Sequence, residues 1–182
     1  MLIRTALAAS AVSLVAACAG GPMMMSKPFD QAMLPAAVQV PAGHKVVMET
    51  VGSGEITYEC RVKVGAADQY EWFFVGPDAK LMDRSGKQVG KYYGPPATWE
   101  NMDGSKVTAT QVAVSPATAG SIPNQLVKAN PATGSGMMNG TSYIQRVATQ
   151  GGVAPSAPCG TSSLGAKQTV KYQADYIFYR AM

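Results

Sequence analysis

Three carboxylates and a neighbouring tryptophan are the side chains of this sequence most suited to catalysis. Glu100 and Asp103 lie in a turn-rich segment beside Trp99, and Asp175 lies in an apolar stretch near the C-terminus. Paired carboxylates serve as acid and base, or as nucleophile, in glycoside hydrolysis, where two acids beside an aromatic platform suffice. One hypothesis is therefore a carboxylate-dependent hydrolase acting on glycans. An aspartate before glycine is, however, most often a turn former, and tryptophan is an ordinary core residue.

The same segment supports a second hypothesis, a binding site without catalysis. Aromatic and acidic side chains that could stack on a sugar ring and hydrogen-bond it are concentrated there, namely Tyr92, Tyr93, Trp99, Glu100 and Asp103. Arg146 and Asp175 are charges between apolar neighbours, and if both point inward we expect them to pair, because an unpaired buried charge is costly. That pair is either part of the site or a structural salt bridge. We interpret the chain as a binding or structural module for an unknown small molecule or glycan rather than as an enzyme.

Motif content and charge argue against several other function classes. His44 is the only histidine and no Gly-x-Ser-x-Gly sequence occurs, so a serine hydrolase is not expected. The formal net charge is +4 and the basic residues are scattered singly, which argues against a nucleic-acid partner. The sequence shows neither a glycine-rich phosphate loop nor a set of metal ligands. We therefore predict no cofactor and no metal site.

The N-terminus carries the most specific motif. Arg4 precedes the apolar run 6–17, which is typical of a signal peptide and too short for a transmembrane helix. The run ends in Val15-Ala16-Ala17-Cys18, which is similar to the bacterial lipobox, whose cysteine is acylated. We predict that residues 1–17 are removed and that lipid on Cys18 anchors the protein in the bacterial cell envelope, at the periplasmic face or outer membrane. The alternative is an ordinary signal peptide with a chance cysteine.

The remaining chain divides into a tether and one domain. Residues 18–41 contain repeated glycine, proline and methionine without a sustained period, which indicates a flexible tether. Residues 42–182 form one domain of sufficient length for a single core. From 55 to 64, apolar residues alternate with polar ones at every position, as in a half-buried strand of an antiparallel sheet. The prediction is an all-β fold, an antiparallel β-sandwich or barrel.

Further strands follow from turn signals and alternation. We predict a second strand from Gln69 to Val75, apolar on both faces, central and ended by Gly76-Pro77. The other predicted elements are a hairpin over 80–93, a strand over 105–114, a strand over 141–149 introduced by Asn139-Gly140, and a terminal strand over 169–179. In the terminal strand one face is formed by Val170, Tyr172, Ala174, Tyr176 and Phe178.

Two further cysteines suggest a long-range link. With Cys18 committed to lipid, Cys60 and Cys159 remain as a pair in an exported, oxidising setting, and we expect a disulfide between them. Two buried thiols are the first alternative. A metal site is the second, although no third and fourth ligand is available.

Seven ordered motifs resemble those of a known family. They are Tyr58-x-Cys60; Glu71-Trp72-x-Phe74-x-Gly76-Pro77-x-Ala79-x-Leu81; Gly94-Pro95 with Thr98-Trp99-Glu100; Asp103-Gly104-Ser105-x-Val107; Tyr143-Ile144-Gln145-Arg146-Val147; Gly151-Gly152-Val153-Ala154-Pro155; and Tyr172-x-Ala174-Asp175-Tyr176-x-Phe178-Tyr179. Together they resemble the domain of unknown function 3455 family over residues 37–180. The resemblance implies an exported domain without an agreed activity, and it supplies no catalytic residues to carry over.

Overall fold

The computed structural model describes residues 29–182, in which one antiparallel sheet of eight strands closes into a barrel. Each strand pairs with the next along the chain, and β8 pairs back with β1. The strands are β1 (His44–Lys63), β2 (Ala66–Met82), β3 (Gln88–Tyr93), β4 (Thr98–Asn101), β5 (Lys106–Ser115), β6 (Asn124–Ala129), β7 (Tyr143–Gly151) and β8 (Lys167–Ala181). The all-β prediction is confirmed, and of its two alternatives the barrel is the one observed. Within the described residues, no helix has the length and apolar character to cross a membrane.

The antiparallel order gives the barrel two ends. The terminal end holds the start of β1, the end of β8, the turns 83–87 and 102–105, and the loop 130–142. The distal end holds the turns 64–65 and 94–97 and the loops 116–123 and 152–166.

The predicted alternation fills the interior of the barrel. Ile56, Tyr58 and Cys60 of β1 are buried, while Glu59 and Arg61, on either side of Cys60, face outward. The inward face of β8 contributes Tyr172, Ala174, Tyr176 and Phe178 to the same core, as its period of two predicts. At the distal end the β1–β2 hairpin extends beyond Glu59, where the pairing of β1 with β8 ends. Val62 and Val64 are therefore 41% and 90% exposed and do not point into the core.

A second apolar cluster lies on the outside of the barrel. Val38 and Val40 pack there against Leu126, Val147, Ile177 and Tyr179, and both are buried. Gln145 fixes the segment, because its amide nitrogen donates to Val38 O (2.6 Å) and Gln31 Oε1 (3.0 Å). Residues 29–41, assigned from the sequence to the flexible tether, are therefore part of the folded domain. The prolines of this segment and its lack of a hydrophobic period did not indicate that it packs, as an irregular segment, on one wall of the barrel.

The second strand differs from its prediction. Gly76-Pro77 does not end it, since β2 continues to Met82 through a register shift opposite Thr57 and Tyr58. Pro77 is tolerated because β3 pairs with β2 only from Asp78 onward, so that Pro77 has a single neighbouring strand, β1. For the same reason the segment is not central: Phe73 and Phe74 are 42% and 47% exposed.

Two short strands were not predicted, and one turn signal was misplaced. Strands β4 and β6 span only Thr98–Asn101 and Asn124–Ala129, too few residues for a clear alternation. Asn139-Gly140 lies within the loop 130–142 instead of forming a two-residue hairpin, and β7 begins at Tyr143. The predicted hairpin over 80–93 and the strand over 105–114 correspond to β2–β3 and β5.

Candidate functional site

The predicted disulfide is present at the distal end. Cys60 on β1 is bonded to Cys159 in the loop 152–166, with their Cα atoms 5.5 Å apart. The linked residues are separated by 99 positions in sequence, so the bond ties this long loop to the early hairpin. The predicted disulfide is therefore confirmed, and the two alternatives for these cysteines, free thiols and a metal site, are excluded.

The aromatic residues of the predicted binding loop do not share one surface. Residues 92–103 form β3, β4 and their connections, so successive side chains alternate between the barrel interior and the solvent. Tyr92 and Trp99 point inward and are 5% and 2% exposed. Their rings stack at a centroid distance of 4.6 Å and both contact the ring of Tyr176. In this structure they belong to the core and offer no face to a ligand.

Tyr93 and Glu100 lie on the outer wall, where they form a closed polar cluster with two lysines. The Tyr93 hydroxyl donates to Glu100 Oε2 (2.8 Å), and Lys106 and Lys91 approach the same oxygen at 3.2 and 3.5 Å. The Tyr93 hydrogen bond and the two ammonium groups lower the pKa of Glu100, against a smaller raising effect of burial. This carboxylate is an ionised structural partner, whereas a general acid requires a raised pKa.

Asp103 stabilises the turn in which it lies. Its Oδ1 accepts from the Ser105 hydroxyl (2.6 Å) and amide (2.9 Å), and its Oδ2 accepts from the Met137 amide (2.7 Å). The Ser105 hydroxyl bond, followed by the backbone donors, lowers the pKa of Asp103. The residue therefore holds the turn 102–105 against the loop 130–142.

Arg146 and Asp175 do not both point inward, so the condition on which their pairing was expected is not met. Asp175 bonds Arg84 at 2.8 Å, and Arg84 in turn contacts Glu49 at 3.0 Å on the outside of the barrel. Arg146 lies opposite Tyr176, whereas Asp175 lies opposite Val147, so neighbouring positions of β7 and β8 place the two charges on opposite faces. The apolar neighbours of both residues were visible in the sequence, but the relative register of the two strands was not.

The three carboxylates of the glycosidase hypothesis also do not converge. Glu100 is on β4 and Asp175 is on β8, and three strands separate β4 from β8 in either direction around the ring. Glycosidases hold their two carboxyl groups within about 10 Å of each other. The structure gives this hypothesis no acid pair.

Arg146 is the predicted residue whose surroundings most resemble a binding site. Its Nε and Nη2 donate to the carbonyl oxygen of Pro123, at 3.2 and 3.0 Å, and no acidic residue of the described chain lies within 4.0 Å of it. The side chain follows the inward Ile144 along β7 and is only partly exposed. Pro123 belongs to the loop 116–123, so the guanidinium lies toward the distal end.

Four core tyrosines, of which the sequence assigned only Tyr92 to a candidate site, lie within electrostatic reach of this guanidinium. Its charge lowers the pKa of four buried tyrosines, although desolvation by burial raises each of them by more; they are Tyr58, Tyr92, Tyr172 and Tyr176. The Tyr58 hydroxyl donates to Gly152 O at 2.7 Å, and the hydroxyls of Tyr172 and Tyr176 are 3.3 Å apart. The inward phase of these tyrosines in alternating strands was the available signal.

The other surface features of the described residues are weaker candidates for a binding site. An open groove of about 550 Å³ is lined by residues such as Ser53 and Gln150, and its charged side chains are Glu55 and Lys171, which lie opposite each other in the β1–β8 register. No three His, Cys, Asp or Glu side chains in residues 29–182 are grouped so that they could hold a metal ion. His44 is half-buried near the terminal end, where its Nδ1 is 3.0 Å from Pro41 O and its ring meets Tyr143 edge-on.

Comparison with known proteins gives one result. A family model described as "Protein of unknown function (DUF3455)" matches residues 41–180, well over half of the chain. No curated protein matches the chain, and no solved structure does.

Proposed function

On the premise that this chain belongs to the DUF3455 family of proteins of unknown function, we propose that it is a lipid-anchored envelope protein whose barrel binds a small molecule carrying an anionic group. The observation that carries the binding role is Arg146, a partly buried guanidinium without an acidic partner among residues 29–182. The anchoring role rests on the Val15-Ala16-Ala17-Cys18 motif, which lies outside the described residues.

The hydrogen bonds of Arg146 leave donors for a ligand group. A guanidinium has five N–H donors, and within residues 29–182 only two of those of Arg146 reach an acceptor, the uncharged Pro123 carbonyl. A carboxylate or phosphate would satisfy the remaining donors with charge-assisted bonds, which are about twice as strong as neutral ones. Because an ion pair with the guanidinium adds Coulomb attraction to these bonds, an anionic ligand is favoured over a neutral one.

The interpretation of the chain as a glycan-binding module narrows the anionic compounds to test. Tyr58, Tyr172 and Tyr176 are core residues like Tyr92 and Trp99, so no ligand contact is assigned to their hydroxyls. An acidic sugar is both anionic and a glycan unit, which makes uronates the first compounds to test.

The ligand proposal is tested by thermal shift of the mature protein with glucuronate, inorganic phosphate and glucose. Glucuronate is expected to raise Tm most, phosphate less and glucose not at all, because a ligand that binds only the folded state stabilises it. Arg146→Gln should abolish the shifts. Arg180→Gln is the matched control, since Arg180 is also partly buried and donates to a backbone carbonyl, that of Met137, at the other end of the barrel. Equal shifts in both variants, or no shift in the wild type, would refute the binding role.

The anchor is tested separately in a bacterial expression host. Labelled fatty acid is expected to be incorporated into the wild-type protein and not into Cys18→Ser, which should leave the membrane fraction or remain unprocessed. The disulfide between Cys60 and Cys159 supports export, since such bonds persist in oxidising compartments. Equal incorporation of label into both proteins would contradict lipidation of Cys18.

A further inference from the structure

We infer that the terminal end of the barrel rests on the anionic surface of a phospholipid bilayer, an inference that builds on the proposed lipid anchor. The distal end, with Arg146, then faces away from the membrane. The inference rests on three features of the terminal end: exposed methionines, basic side chains, and the point at which the chain enters the fold.

Three methionines form an apolar rim at this end. Met102, Met137 and Met182 are 71%, 42% and 82% exposed. They belong to one surface: the Met137 amide donates to Asp103, the residue after Met102, and Arg180 Nη2 donates to Met137 O at 2.6 Å. Met182 follows Arg180 by two residues. Methionine is flexible and apolar, which suits contact with a disordered lipid interface.

Basic side chains surround this rim. Lys45 lies directly opposite Arg180 in the β1–β8 register, and Lys128 is exposed near the end of β6. Asp103 and Asp83 lie at the same end and stay ionised, since hydrogen bonds from Ser105 and Met137, and from Ser85 and Lys87, lower the pKa of these carboxyls. The lysines and Arg180 are the groups of this end that an anionic surface attracts. Anionic lipid headgroups attract such clusters of lysine and arginine.

The chain reaches the barrel on this side. The Phe29 amide donates to Glu49 Oε1 at 3.0 Å, and Glu49 lies in the terminal half of β1 and contacts Arg84 of the turn 83–87. Residues 19–28 separate Phe29 from Cys18, so the backbone of Cys18 can lie no more than about 40 Å from this point even if the segment is fully extended. An anchor that short keeps the terminal end close to the bilayer and raises its local concentration there.

Methionine oxidation provides a direct test. Acylated mature protein on vesicles of phosphatidylglycerol and phosphatidylethanolamine is treated with chloramine-T, and the Cys18→Ser chain free in solution is treated in parallel. We expect Met102, Met137 and Met182 to be oxidised at least fivefold more slowly on vesicles. Met33 is the internal control, since it is 93% exposed in the segment on the barrel wall and should change less than twofold.

A charge reversal tests whether the basic side chains of the terminal end contribute to its docking on the bilayer. Lys45→Glu should weaken the protection of the rim methionines at least twofold on phosphatidylglycerol vesicles. Lys63→Glu, an exposed lysine at the distal end, should leave the protection unchanged.

The remaining outcomes separate the two proposals. Protein that sediments with vesicles but shows no protection overturns docking and leaves the anchor intact. Acylated protein that stays in the supernatant overturns the anchor and docking together. Concentration-dependent protection of the free Cys18→Ser chain would assign the rim to a second copy instead of the bilayer.

Discussion

The backbone of Gly52 lies directly against the ring of Tyr176. A Cβ on Gly52 would stand 2.5 Å from Tyr176 Cε2 and 2.9 Å from Cδ2, and Tyr176 is only 1% exposed. The ring cannot retreat, because the rings of Tyr92 and Trp99 pack against it. Gly52 is therefore required for the close approach of a strand to a core side chain rather than for a turn.

Gly52→Ala should destabilise the protein by about 1–3 kcal/mol, the usual cost of overpacking a core. Urea unfolding followed by circular dichroism would measure the change. Gly160→Ala is the control, since its Cβ would meet no atom within 4 Å and its φ of −163° is extended backbone. Equal stability of the two variants would show that the Tyr176 ring can shift.

Much of the fold was predictable because long strands repeat their pattern. In β8 the alternation covers the whole inward face from Val170 to Phe178, and in β1 it identifies Cys60 as inward and so supports the disulfide. Barrel closure was not predictable, since a sandwich uses the same alternation. The wall segment 29–41 escaped prediction for another reason: its backbone forms no periodic element apart from a single 3-10 turn at Ala36–Val38.

The candidate site was less predictable than the fold because it depends on register. The sequence places aromatic and acidic residues close together, yet Tyr92 and Tyr93 are consecutive strand residues that point to opposite faces of the sheet, as are Trp99 and Glu100. Likewise, the isolated charge of Arg146 was recognised, but its lack of an acidic partner depends on how β7 is aligned with β8.

Gln145→Ala should cost about 1–3 kcal/mol, because it leaves buried polar groups without partners. Gln145 is fully buried, accepts from the Tyr179 hydroxyl at 2.7 Å and donates to Val38 O. Gln150→Ala, an exposed glutamine of the same strand, should have little effect. Thermal unfolding compares the two, and proteolysis should show earlier cleavage within residues 29–41 of the Gln145 variant. Intact protection of that segment would mean that its apolar contacts suffice.

Reduction of the disulfide should lower stability by up to about 4.7 kcal/mol, the chain-entropy value for a loop of roughly a hundred residues. The bond joins Cys60 to Cys159 over 99 positions. Urea unfolding of the oxidised protein and of the Cys60→Ser, Cys159→Ser double variant would measure the difference. A difference near zero would show that the unfolded chain is not appreciably restricted by the bond.

The protein should lose stability in alkali and release its tyrosine protons as it unfolds. Burial raises the pKa of five tyrosines above the ordinary value of 10.0, namely Tyr58, Tyr92, Tyr172, Tyr176 and Tyr179. In the unfolded chain these groups ionise near pH 10, so their neutral form stabilises the fold fully below that pH, and this contribution is lost as the pH rises further. Absorbance at 295 nm and circular dichroism should change together. Ionisation of all eight tyrosines before any loss of structure would contradict the burial.

Substitutions of Trp99 distinguish a role in the core from a role in ligand binding. It is 2% exposed, so Trp99→Ala should destabilise the barrel by about 3–5 kcal/mol through the cavity that it creates. Its Nε1 has no hydrogen-bond partner among the described residues, so Trp99→Phe loses no hydrogen bond and should cost clearly less than Trp99→Ala. Glu100→Gln should lower Tm by at most about 3 °C, because Glu100 belongs to a surface ion-pair cluster. If Trp99→Ala melted like the wild type and lost only glucuronate binding, Trp99 would be a ligand platform and its assignment to the core would be wrong.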